Sequence, residues 1–193
     1  KVIQKFSLQS DNNIPVPINA GMISTVFKFY SEPLQKHVVI KIKRENIHKI
    51  LHKSIQQFVS ILYILEFIPF FKNFQIYHIS MQNIELILKQ LDFKQEVHNT
   101  IQMKHNMTNI DYVYVPEVYK TVTEQFDNVI MLEFIDGINI RNIPRDDFLQ
   151  YAEPIIKFGI LSTLIHGFAH GDLHPGNIIF QKVLDDNDLP IFR

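Results

Sequence analysis

The sequence predicts an α+β fold, with a strand-rich start, a long helical middle and a second helical stretch that feeds a short polar loop. Three observations carry this. Residues 18–43 alternate β-branched and aromatic side chains on either side of the turn Ser31-Glu32-Pro33, the pattern of a hairpin. Across residues 46–106 the apolar positions instead recur at three- and four-residue steps, the period of an amphipathic helix. Near the C-terminal end stands His170-Gly171-Asp172-Leu173-His174-Pro175-Gly176-Asn177, where charged, polar and turn-forming residues are packed into one short loop.

In that loop His170 precedes Asp172 by two residues and Asn177 follows it by five, the spacing of the catalytic loop in phosphoryl-transferring kinases. A short loop of this kind has to aim two side chains at one phosphoryl group. Asp172 is expected to orient the acceptor hydroxyl and take its proton, and the Asn177 amide oxygen to hold a divalent metal that neutralises phosphate charge. His170 is expected to brace the loop backbone, and His174 to contact phosphate or the loop. The architecture that goes with such a loop is a bilobal protein-kinase-like fold. Its N-terminal lobe is expected over residues 1–135 with a helical insertion at about 45–106, and the hinge and start of the C-terminal lobe over 136–193.

Composition restricts the classes of function. A content of 46% hydrophobic and 12% aromatic residues is that of a globular chain. With 19 basic against 20 acidic residues there is no general attraction to nucleic acid or to an anionic surface, so partners have to be inferred from a site. The absence of cysteine excludes a disulfide framework and a thiolate metal site. The most apolar run, residues 58–71, contains Glu66 and Pro69 and falls short of the ~18 residues expected of a membrane span, so a buried helix is expected there. The chain starts at Lys1 with no charged-then-apolar leader and reads as a fragment or a processed piece.

Taken in order, residues 2–6 are expected as a short strand or loop start, followed by a polar turn at 10–13 and by Pro15 and Pro17. The hairpin follows, with the small residues Ala20 and Gly21 at its mouth, where a kinase covers the nucleotide phosphates. Its second strand carries Lys41 in Val-Val-Ile-Lys, the pattern of the phosphate-pairing lysine, although Lys43 shares the same face of the strand. Within the helical stretch, which is expected to break at 71–80, Glu96 is the best candidate for the helix glutamate that holds that lysine, with Glu66 and Glu85 as rivals. Two strands are expected at 112–119 and 129–134, the second ending at Asp136-Gly137. That is where a hinge would let backbone groups of Glu133 and Ile135 meet an adenine edge. A helix over 146–168, with Pro154 starting a new helix or kinking this one, then leads to the loop. A short strand at 178–180 and a turn at 185–188 complete the chain.

Several of these segments, in order, resemble the ABC1 family of atypical protein-kinase-like proteins, also called the UbiB or ADCK family. The segments are 17–26 (PINAGMISTV), 39–44 (VIKIKR), Leu91-Asp92-Phe93 followed by Glu96, 115–119 (VPEVY), 131–137 (MLEFIDG) and 167–177 (GFAHGDLHPGN). The resemblance implies ATP or ADP with Mg2+ as cofactors, Lys41 and Glu96 as an ion pair, Asp172 as the catalytic Asp and Asn177 as a metal ligand. It also implies a link to ubiquinone or other isoprenoid-lipid metabolism, with a lipid or quinone precursor as a possible partner. Association with a membrane surface in mitochondria, plastids or bacteria goes with it. The chain departs from the family pattern at Gln90, where a Glu is usual, and at Gly21 and Met22 in the nucleotide loop. The family's Asp-Phe-Gly-like motif is expected just past Arg193, and without its metal-binding Asp this piece is not expected to turn over.

Three other readings compete. The loop resembles that of aminoglycoside and choline phosphotransferases equally well. The altered nucleotide loop suits a nucleotide-binding pseudokinase scaffold. His166, His170 and His174 at four-residue steps suggest a zinc hydrolase, though Gly171 and Pro175 should end any helix before His174 joins it. The phosphoryl acceptor, oligomeric state and compartment are not specified by the sequence.

Overall fold

The computed structural model describes residues 2–10, 14–68, 76–89, 91–169, 173–174, 176–185 and 187–193. These form two compact units, residues 1–97 with 119–131, and residues 98–118 with 132–193.

The first unit is built on a five-stranded sheet. Its strands are β1 (Leu8–Gln9), β2 (Pro17–Ala20), β3 (Ser24–Ser31), β4 (Lys36–Lys43) and β5 (Val129–Glu133). The order is β1-β3-β4-β5, and β2 joins β3 beside β1. β3 and β4 pair antiparallel through eight residues each, from Ser24 opposite Lys43 to Ser31 opposite Lys36. Strand alternation sends Phe29, Val38 and Ile40 to one face. There they pack with Leu8, Val122, Val129 and Met131 as the core of the unit. Lys41 and Lys43 face the other way.

Residues 2–6 differ from the expected strand. Val2–Lys5 is one helical turn, α1, closed by the Phe6 N–H on the Val2 carbonyl at 3.0 Å. One helical turn brings Val2 and Phe6 close together on the same side, and both pack on the core.

Between β4 and β5 lie α2 (Ile47–Glu66), α3 (Ile76–Lys89), α4 (Phe93–Asn106) and α5 (Lys120–Gln125). α3 begins inside the expected break at 71–80, because the apolar period resumes at Ile76. The expectation of a buried helix over 58–71 is corrected. Leu62 is buried, but Ile61, Ile64 and Phe67 are exposed, since only one side of α2 meets a neighbour. Among the described residues no helix is long and apolar enough to cross a membrane.

Residues 112–119 also depart from expectation and form no strand. Pro116 has no N–H to give a ladder, and the Glu117 N–H goes to the Glu133 carboxylate at 3.2 Å. What survives is an isolated bridge between Val118 and Leu132.

In the second unit, 3-10 turns at Ile140–Asn142 and Arg145–Asp147 lead into α6 (Phe148–Ile160). Pro154 lies inside α6 and neither starts nor ends a helix. The helix passes into a π-helical turn at Leu161–Ile165 and stops at Gly167, whose φ of 60° favours glycine. Tyr151 packs edge-on against Phe180 and Phe192 as the centre of this unit's core. The strand expected at 178–180 reduces to one bridge, Phe180 with Ile138. A hairpin not foreseen from the sequence follows, β6 (Lys182–Leu184) with β7 (Pro190–Phe192), turning on Asp185.

Candidate functional site: a lysine–glutamate pair beside a small-residue loop

Lys41 is opposite Val26 in the β3–β4 register, and Val26 is close in sequence to the β2–β3 turn. Its ammonium donates to both Glu96 carboxylate oxygens, at 2.7 and 2.9 Å. Glu96 is therefore the helix glutamate that meets the strand lysine, while its sequence rivals Glu66 and Glu85 are exposed. Side-chain exposures of 27% for Lys41 and 37% for Glu96 mean the pair is partly solvated. Such a pair adds little to stability, and its value lies in fixing where the cation sits.

The supporting side chains were not identified from sequence. Phe93 is 1% exposed, and its ring lies under both cations, 5.3 Å from the Lys41 ammonium and 4.7 Å from that of Lys43. Lys41 and Lys43 thus do share a face, as the two-residue period requires, and Glu96 distinguishes them. Asp92 caps the start of α4, with Oδ1 accepting from the N–H groups of Lys94 at 2.9 Å and Gln95 at 3.2 Å. The signal was legible as Asp92-x-x-Gln95, an N-cap pattern. The cap holds the first turn of α4, from which Glu96 reaches Lys41. Gln90 lies outside the described residues.

The loop between β2 and β3 is tight. Gly21 N–H donates to the Ser24 carbonyl at 2.9 Å, immediately past the last pair, Ala20 with Thr25. Ala20 is exposed and its N–H is held by the Asn19 side chain at 2.8 Å. Gly21 is not in the left-handed region, and a Cβ there would approach nothing closer than the Ser24 carbonyl at 3.8 Å. The conformation therefore does not demand glycine. Arg44 reaches back to this turn, its Nε donating to the Gly21 carbonyl at 2.9 Å and its N–H to the Ile23 carbonyl at 2.8 Å.

Glu133, the last residue of β5, is tied into its own surroundings. Its N–H donates to the Glu117 carbonyl at 2.9 Å, and its carboxylate accepts from the Tyr114 hydroxyl at 2.9 Å. The Tyr114 pKa is raised, first by burial and then by that hydrogen bond, so the phenol stays a donor. The Glu133 N–H is thus committed to Glu117 and not to the adenine role expected of it. Ile135 follows in half-buried, irregular backbone.

Of the loop residues, His170, Gly171, Asp172 and Pro175 lie outside the described residues. His174 braces the loop, its Nδ1 accepting from the Gly176 N–H at 3.0 Å and its carbonyl from the Asn177 N–H at 2.8 Å. A Cβ on Gly176 would lie 2.8 Å from the exposed His174 ring, so any larger residue there would have to displace that ring. Asn177 is exposed. Among the described residues no three His, Asp or Glu side chains are grouped to hold a metal ion.

A lysine-bearing strand in a five-stranded sheet, paired with a glutamate on a crossover helix, is compatible with the N-terminal lobe of a protein-kinase-like fold. The chain belongs to the ABC1 atypical kinase-like domain family, whose model matches residues 11–188. Curated relatives carry the name "Probable protein kinase UbiB". The protein of Blochmanniella pennsylvanica is 27% identical over 172 residues, 86% of this chain and 31% of that protein. The protein of Aeromonas salmonicida is 26% identical over 180 residues, 90% and 32% of the two chains. That of Glaesserella parasuis is 29% identical over 168 residues, 81% and 30%. The chain thus spans about a third of the length of the relatives it matches.

Proposed function

We propose that this chain is the nucleotide-binding part of an ATP-dependent atypical kinase or ATPase of the UbiB type. The observation that carries the reading is the Lys41–Glu96 pair, 2.7 and 2.9 Å between Nζ and the two carboxylate oxygens. A lysine held at one end by a carboxylate, and still partly open to solvent, suits an anionic polyphosphate. Small residues at Ala20 and Gly21 would let a phosphate approach the backbone of the loop. The Asn177 amide oxygen is the hard oxygen donor that Mg2+ prefers, and Mg2+ would supply charge neutralisation on the phosphates.

In the reaction Lys41 orients the phosphates, and Glu96 prevents the ammonium from swinging into solvent. Asp172 accepts the proton of the attacking hydroxyl or water, and His174 keeps the loop backbone in shape. Contact with a lipid or quinone precursor and with a membrane surface belongs to the same proposal, supported by the family relationship. So does a role in ubiquinone or isoprenoid-lipid metabolism in mitochondria, plastids or bacteria.

The test is Mg-ATP binding and turnover by the complete protein. Lys41→Met and Glu96→Gln are expected to weaken ATP binding roughly tenfold or more, the scale of a lost charge-assisted contact. Asp172→Asn should bind ATP and lose turnover. Unchanged ATP affinity in Lys41→Met would overturn the reading. Wild-type turnover in Asp172→Asn would remove Asp172 from the chemistry and favour a non-catalytic scaffold.

A further inference from the structure

Arg44 stands directly after β4 and has no role in the chemistry just described, yet it is the residue that ties down the β2–β3 turn. Its own backbone is anchored on two sides. The N–H donates to the Ile23 carbonyl at 2.8 Å, and the carbonyl accepts from the Ile47 N–H at 3.3 Å at the start of α2. From that fixed base the guanidinium Nε donates to the Gly21 carbonyl at 2.9 Å.

The Gly21 N–H bond to the Ser24 carbonyl closes the turn but does not hold the Gly21–Met22 peptide plane. Met22 at its tip is 80% exposed, and a Cβ at Gly21 would find no neighbour nearer than 3.8 Å. A glycine in open surroundings leaves the peptide plane that follows it free to rotate. Across a planar trans peptide the carbonyl and the N–H point in opposite directions. While Arg44 holds the Gly21 carbonyl, the Met22 N–H is turned away from Arg44, and a donor stands on the far side of the loop. A flip of that one peptide would put a carbonyl oxygen there instead, and an oxygen repels phosphate. The Gly21 N–H cannot substitute, because it is committed to Ser24 at 2.9 Å.

We infer that Arg44 is a positioning residue for nucleotide binding, holding the Gly21–Met22 peptide so that its N–H, and not its carbonyl, meets the phosphates. The inference rests on the nucleotide-binding reading above. It makes Arg44 act through the loop and not by touching the ligand.

The experiment compares ATP and adenosine as ligands of the complete protein in Mg2+, by competition against a fluorescent ATP analogue. Arg44→Met keeps the aliphatic stem and removes the donor. It is expected to weaken ATP roughly threefold to tenfold, the scale of one solvent-accessible charged hydrogen bond. It should leave adenosine affinity and the melting temperature unchanged. Arg44→Lys places a donor on a similar stem and should recover most of the ATP affinity. Equal weakening of ATP and adenosine, no weakening of ATP, or a lysine variant no better than methionine would each overturn the inference. Lys41→Met is measured alongside. If it weakens ATP while Arg44→Met does not, the Arg44 inference alone is lost, and if neither binds differently from wild type the nucleotide reading is lost with it.

Discussion

Two glycines with different surroundings give opposite expectations at the scale of single residues. Gly21 has room for a methyl group, so Gly21→Ala should change unfolding free energy by no more than about 0.5 kcal/mol. Gly137 has none, because a Cβ would lie 2.5 Å from the Ile179 side chain and 2.7 Å from the Phe180 carbonyl. There the backbone bonds of Ile138 to Phe180 hold the two segments together at 2.8 and 2.9 Å. Gly137→Ala should therefore cost about 1–3 kcal/mol by overpacking. Urea denaturation of both variants checks the pair, and equal midpoints would contradict it. A third residue governs a pH effect. Asp185 Oδ1 accepts from the Asn187 and Leu189 N–H groups at 2.8 Å each, and these bonds lower its pKa below the ordinary 3.8. A carboxyl with a lowered folded-state pKa contributes stability above its unfolded value and loses it as pH falls through the lowered one. The β6–β7 turn should hence stay ordered above pH 3.8 and loosen only in stronger acid. Amide shifts of Asn187 and Leu189 followed during acid titration would report this, and shifts moving at higher pH would contradict it.

Among the elements, α4 matters most, because its first turn carries both the ring under Lys41 and the carboxylate that binds it. Removing the cap with Asp92→Ala should cost about 1 kcal/mol of stability, the usual value of an N-cap side chain. It should also raise amide exchange at Lys94 and Gln95 and weaken ATP binding, since Glu96 would lose its fixed starting point. Glu96→Gln serves as the contrast. The pair is partly solvated, so that variant should lower stability by less than about 1 kcal/mol while impairing nucleotide binding. If Asp92→Ala leaves exchange at those two amides unchanged, the cap does not hold the turn. Element types were legible where periodicity was long and unbroken, as in β3, β4, α2 and α6. They were misread at 2–6 and 112–119, where a few β-prone residues occur in backbone whose hydrogen bonds go elsewhere. A lone Pro116 and the distant Glu133 carboxylate decided the second case, and no local pattern contains that partner.

On the scale of the whole molecule, much apolar surface faces solvent. Phe67 is 71% exposed, Ile64 64%, Leu149 83% and Leu164 75%. Exposed apolar residues in such numbers promote association. Ile64→Ser with Phe67→Ser should reduce binding of an apolar dye and slow aggregation, with unfolding free energy kept within about 0.5 kcal/mol. A fall in stability would mean that these side chains are packed. Sequence alone determined the α+β class, the hairpin with its lysine strand, the loop motif and the family, because each is written in local spacing and in motif order. It also ranked Glu96 ahead of Glu66 and Glu85, through its place beside Leu91-Asp92-Phe93. Only the tertiary structure decided that Lys41 and not Lys43 grips Glu96, that Phe93 lies beneath both, and that Arg44 holds the Gly21 carbonyl. Those contacts join residues 55 apart and 23 apart in the chain. Strand and helix periods say which face a side chain takes, but not which distant side chain it meets there.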